Sequence, residues 1–180
     1  MRLLLLHISD IHIKSDNNKE HFNIIKMVEA LNVLGKLDEC IIVLSGDITN
    51  SGNINEFKAA GYIIGGLVKE LKAKKFKDRY IYVVVVPGNH DLELKDDDRN
   101  YEKIKSSYEN GEQDLLLNKD VQLLSNFYKF AEFNKCFTDD KIVSNVPVHL
   151  KEHGFLVSFT LINTAIFSLK GGSNIDMGIH

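Results

Sequence analysis

Tyr80-Ile81-Tyr82-Val83-Val84-Val85-Val86-Pro87-Gly88-Asn89-His90-Asp91 is the stretch on which the reading of the fold turns. Its first seven residues are rich in β-branched side chains and predict a strand. Pro87-Gly88 stops the strand, and three polar residues able to bind metal follow at once. The same order occurs twice upstream. Leu3 to Ser9 predicts a compact strand buried on both faces, and it runs into Asp10-Ile11-His12. Cys40 to Leu44 predicts a second strand, ending in Ser45-Gly46-Asp47-Ile48-Thr49-Asn50. Helical spacing fills the intervals. Ile24, Met27, Val28, Leu31 and Leu34 mark the first helix. Phe57, Ala60, Ile64, Leu67 and Leu71 mark the second, with Asn53 or Asn55 as its cap. Strands alternating with helices imply an α/β fold with a mostly parallel sheet and right-handed crossovers.

Composition bounds the function classes. The chain has 180 residues, 44% hydrophobic and 26% charged, which suits a soluble globular domain and excludes disorder as the main state. A net charge of −3 gives no general attraction to nucleic acid or to an acidic membrane. Two cysteines, Cys40 and Cys136, cannot make a disulfide framework, and reduced thiols in a cytoplasmic protein are expected. The leucine run after Met1 stops at His7, too short for a signal-peptide core. No stretch is long enough to span a bilayer.

The middle of the chain has a different character. Residues 92–140 read as a mainly helical insertion, a lid over the strand-end loops. It includes an acidic run, Asp96-Asp97-Asp98, a break at Gly111, and a helix from about Val121 to Phe137 carrying Leu124, Phe127, Phe130, Ala131 and Phe133. Two further strands are expected at Ile142–Leu150 and Phe155–Asn163, joined by a hairpin turn at Lys151-Glu152-His153-Gly154. Lys69–Arg79 reads as the exposed end of a helix, where cations suit the dipole, in preference to a nucleic-acid patch.

In a parallel sheet the loops after the first three strands open on one edge, where ligands of open α/β folds bind. Asp, His and an Asn carbonyl suit a divalent cation such as Mn, Fe or Zn. The absence of cysteine from the set argues against a structural zinc site. Asp10 and His12 are placed to hold one ion and Asn89 another, with Asp47 on the middle loop as the bridge. Paired ions activate a bridging water and clamp a phosphoryl group. His90, beside a ligand, is placed to protonate a leaving oxygen, with Asp91 to orient it. Asn50 is a turn residue with a weaker claim to touch substrate. Singly, each aspartate reads as a cap or turn residue; together with Asn89-His90 they read as a site. His7 reads as a satisfied core or packing histidine, His21 as a helix start, and Tyr101 and Tyr108 as packing or surface residues.

Asp10-Ile11-His12, Gly46-Asp47 and Gly88-Asn89-His90-Asp91, in this order and each after a strand, resemble the calcineurin-like metallophosphoesterase superfamily. The resemblance covers residues 3–91 well and about 142–169 loosely. It implies a four-layer αββα sandwich and a phosphomonoesterase or phosphodiesterase working through two divalent ions and a metal-bridging hydroxide. By position it implies Asp10, His12, Asp47 and Asn89 as metal ligands, His90 as general acid and Asp91 as its support. The substrate class it implies is a phosphorylated small molecule or nucleotide, with nucleic acid less favoured and no membrane partner. The sequence after Asp47 lacks the arginine of the Ser/Thr protein phosphatases and looks more like the bacterial cyclic-nucleotide phosphodiesterase-like branch. The superfamily's later histidine ligands have no counterpart here. The chain therefore reads as the N-terminal part of the catalytic domain, truncated on its C-terminal side, with further residues or a partner chain expected to complete the site. Two alternatives remain open at this point: a DNA-repair-type nuclease, and a non-catalytic interaction or regulatory module.

Overall fold

The computed structural model describes residues 1–15, 23–93, 110, 122–141, 143–151 and 153–165. His21, Asp96-Asp97-Asp98, Tyr101, Tyr108 and Gly111 lie outside them. Three parallel strands form the central sheet in the order β1-β2-β3: β1 Leu3–Ile8, β2 Glu39–Ser45 and β3 Ile81–Val86. The register is regular, with Leu4 opposite Cys40 and Cys40 opposite Ile81. Helix α1, Ile24–Ala30, continues as a 3₁₀ turn over Leu31–Val33 and makes the first crossover. Helix α2, Ile54–Lys74, makes the second. Its cap is Asn53, whose side chain accepts from the backbone N–H groups of Asn55 and Glu56. That satisfies donors which the first helical turn leaves orphaned.

Alternate residues of the sheet serve two cores. Cys40, Ile42 and Leu44 of β2, with Ile81, Val83 and Val85 of β3, face the helices and meet Phe57, Ile64, Leu67 and Leu71 of α2. Ile41, Tyr82 and Val84 face the other way. There they meet a hairpin of β4, Val143–Leu150, and β5, Phe155–Ile162, through Val146, Val148, Leu150 and Leu161. The result is helix layer, parallel sheet and antiparallel sheet, three layers of an αββα sandwich. The period of two in β4 is plain in its strictly alternating burial.

Several expectations are corrected. β1 is not buried on both faces. Leu4, Leu6 and Ile8 pack against the helix-side core, but Leu5 is 54% exposed and His7 is exposed as well. β1 is an edge strand of the three, and on the hairpin side only its first residue, Leu3, packs against the core formed with β2 and β3 among the described residues. The helix expected from about Val121 to Phe137 is shorter, α3 at Ser125–Phe133. Leu124, Phe127, Phe130 and Ala131 enter the helix-side core, whereas Phe133 is exposed. After α3 the chain returns beside β3, where Phe137 donates its N–H to Val83 O at 2.7 Å and accepts from Val85 N at 2.9 Å. Residues 124–137 therefore belong to the body of the fold. No helix among the described residues is long and apolar enough to cross a membrane.

Candidate metal centre

The loops after β1 and β2 extend the strand pairing beyond the strands themselves. Asp10 N donates to Gly46 O (3.3 Å), His12 N to Asp47 O (3.0 Å) and Ile13 N to Ile48 O (3.0 Å), while Asn50 N donates back to Ile13 O (3.1 Å). This ladder holds three non-glycine residues in the left-handed region: Asp10 at φ 55, His12 at φ 49 and Asp47 at φ 48. Such conformations are uncommon outside glycine, and each is retained only where surrounding contacts over-determine it. Here they fall on three of the expected ligands. Gly46, at φ 84, makes the sharp turn between β2 and Asp47.

The third loop is clamped to the second mainly through Asp91. Its carboxylate accepts from Thr49 N (2.8 Å), Thr49 Oγ1 (2.9 Å), Gly88 N (2.9 Å) and Ile48 N (3.2 Å). Asp91 is fully buried, and burial pushes its carboxyl above the usual carboxylate range against the opposing pull of those donors. The expected role of orienting the His90 ring is not what this carboxylate does. The ring is held instead by Asn50, whose carbonyl accepts from His90 Nδ1 at 2.8 Å. A carbonyl has no proton to give, so Nδ1 carries the hydrogen, and in the neutral ring the lone pair is on Nε2. Asn50, expected at the substrate, thus serves through its backbone.

Asp47 stands at the centre. Its Oδ1 accepts from His90 N at 2.9 Å, and its Oδ2 lies 3.9 Å from His12 Nε2. The His12 and His90 rings meet edge to face, with centroids 4.6 Å apart. One donor atom from each of His12, Asp47 and His90 falls within 4.8 Å of the others. Two imidazoles and a carboxylate converging from three loops fit a borderline divalent cation. This trio differs from the expected set. His90, expected only as an acid, is in it. Asp10 is exposed and stands outside it, tied to the middle loop through its backbone. Asn89 opens the 3₁₀ turn Asn89–Asp91 and is half-buried between Gly88 and His90.

Two features escaped the sequence reading. Thr49 is fully buried and its hydroxyl is a pillar of the Asp91 clamp; a threonine after Gly-Asp-Ile gave no sign of that. His7 shares a hydrogen bond of 2.5 Å with Ser45 Oγ across the ends of β1 and β2. It is exposed there, not a core histidine.

The family model for calcineurin-like phosphoesterases matches residues 3–177. Glycerophosphodiester phosphodiesterase GpdQ of Enterobacter lignolyticus (strain SCF1) is 35% identical to this chain over 95 residues. The aligned part is 49% of this chain and 30% of that protein, so the match spans under a third of the relative's length. With a parallel sheet whose strand-end loops carry the Asp-x-His, Gly-Asp and Gly-Asn-His-Asp motifs in order, the chain belongs to the calcineurin-like phosphoesterase family.

Proposed function

We propose that this chain carries a metal-dependent phosphoesterase centre and that its substrate is a phosphodiester. The observation that carries the reading is the convergence of His12, Asp47 and His90 donor atoms from three separate strand-end loops. The name of the GpdQ relative favours a diester over a monoester. His12 and Asp47 would hold one divalent ion, with Asp47 shared toward a second near Asn89; Asp10 joins the first if its side chain turns inward. Manganese, iron and zinc all match the donor types. Bound divalent ions supply charge neutralisation for the phosphate and a water of lowered pKa.

The chain's own residues do the rest. Asp47 is prevented from rotating away because His90 N occupies its Oδ1. The Asp91 clamp fixes the distance between the second and third loops. Asn50 fixes the His90 tautomer, so Nε2 is the ring atom that faces chemistry. Once protonated, Nε2 is the donor toward a leaving oxygen. The test is turnover of bis(4-nitrophenyl) phosphate and 4-nitrophenyl phosphate by manganese-loaded protein, with Asp47→Asn beside it. Expected is faster hydrolysis of the diester, with both turnover and bound metal lost in Asp47→Asn. Metal-independent turnover, or turnover that survives Asp47→Asn, contradicts the reading.

A further inference from the structure

At the opposite end of β3 from the metal centre lies a groove of about 590 Å³, between the end of α2, the start of β3 and the β4–β5 hairpin turn. Lys72, Lys77, Arg79 and Lys151 line it with one carboxylate, Asp78, and the ring of Tyr80. Four cations on one groove stand out in a chain whose net charge is −3. The helix dipole accounts for Lys72, which sits in the last turn of α2. It does not account for Lys77, which lies beyond the helix, or for Lys151, which follows β4 in the second sheet.

The groove is also set in place. Asp78 adopts φ 60, and Arg79 N donates to the carbonyl of Phe76 at 2.9 Å, closing a turn on a fully buried ring. Lys151 is fixed from its backbone, where its N–H donates to Tyr82 Oη at 2.7 Å. The Tyr80 ring is already engaged. Lys151 Nζ lies 4.5 Å from its centroid, and the Tyr82 ring packs against it at 4.8 Å. A nucleobase stacking on an aromatic side chain needs a free ring face, and Lys151 already sits over one face of this ring. Recognition here is by charge, and lysine ammoniums are suited to phosphate oxygens as point charges. The volume falls in the range of small-ligand sites.

We propose that this groove binds a small anion with two or more linked phosphate groups, at a site separate from the metal centre. The six residues of β3, at roughly 3.3 Å of rise each, stand between the two. The experiment is calorimetric titration of the full chain with inorganic tripolyphosphate at low salt, with EDTA present so that the metal centre does not compete. Lys77→Glu and Lys151→Glu are each expected to weaken binding by about tenfold or more, Lys77→Arg to leave it nearly unchanged, and added salt to weaken it in the wild type. No binding by the wild type overturns the proposal, as does equal binding by the charge reversals. A single-stranded oligonucleotide that binds much more tightly than tripolyphosphate also overturns it, in favour of a nucleic-acid backbone.

Discussion

A methyl group at residue 88 would overlap the Oδ1 and the backbone nitrogen of Asp47. Gly88 is therefore needed for close approach between the second and third loops, and its φ of −105 asks nothing unusual of the backbone. Gly88→Ala is expected to displace the Asp47 carboxylate and weaken metal binding about 10–100-fold, the size of effect seen when the support of a ligand is lost. Metal content after gel filtration reads this directly, and an unchanged content removes the role assigned to Asp47. Asp91→Asn presents an amide N–H₂ to a ring of four donors. It should cost about 1–3 kcal/mol of stability, measured as a lower urea midpoint at unchanged slope. For His90→Ala, turnover should fall about 10²–10⁴-fold if the ring acts as an acid, and more for an alkyl than for a nitrophenyl leaving group. An equal loss for both leaving groups, with metal lost in step, would make His90 a ligand only. The motif residues themselves were legible in the sequence because each follows a strand and each strand ends on one sheet edge. Their pairings were not. That Asn50 rather than Asp91 holds the His90 ring depends on loop backbone, which spacing does not encode.

The elements that carry these loops are held by contacts of ordinary kinds. Asn53 caps α2, and Asn53→Ala is expected to cost about 1 kcal/mol, seen as a small drop in thermal midpoint with the metal centre intact. At the other end of the sheet the hairpin is tied to β2 by His153 Nδ1, 3.2 Å from the fully buried Glu39 Oε1. Helix and strand positions followed from periodicity, because burial on one face imposes a period of 3.6 or 2 on the sequence. What periodicity does not reveal is which neighbour covers a face. The leucine run of β1 looks doubly buried in sequence, yet on the hairpin side Leu3 packs against the core while Leu5 opens to solvent. Phe133 continues the apolar pattern of α3 but lies past the last contact of that helix with the core. Pro147 within β4 shows the opposite case: a residue with no N–H to donate is tolerated because β4 pairs with β5 alone among the described strands.

For the whole molecule, the sheet separates two places, the candidate metal centre at the strand ends and a cationic groove at the strand starts. The core between them is built from apolar side chains. Cys40 is fully buried in it, and burial pushes its thiol up to about 12. Iodoacetamide at pH 8 should leave Cys40 unmodified in the folded protein and alkylate it in urea, since the thiolate is the reactive form. Modification of the native protein at the denatured rate would mean that the helix-side core is open. The central claim is that the turns after β1 and β2, far apart in sequence, share one ion. Anomalous diffraction at the zinc edge from zinc-loaded crystals tests it most directly. The account expects a peak about 2.0–2.2 Å from both an Asp47 carboxylate oxygen and a His12 ring nitrogen; a metal bound elsewhere, with Asp47 and His12 unligated, would contradict it.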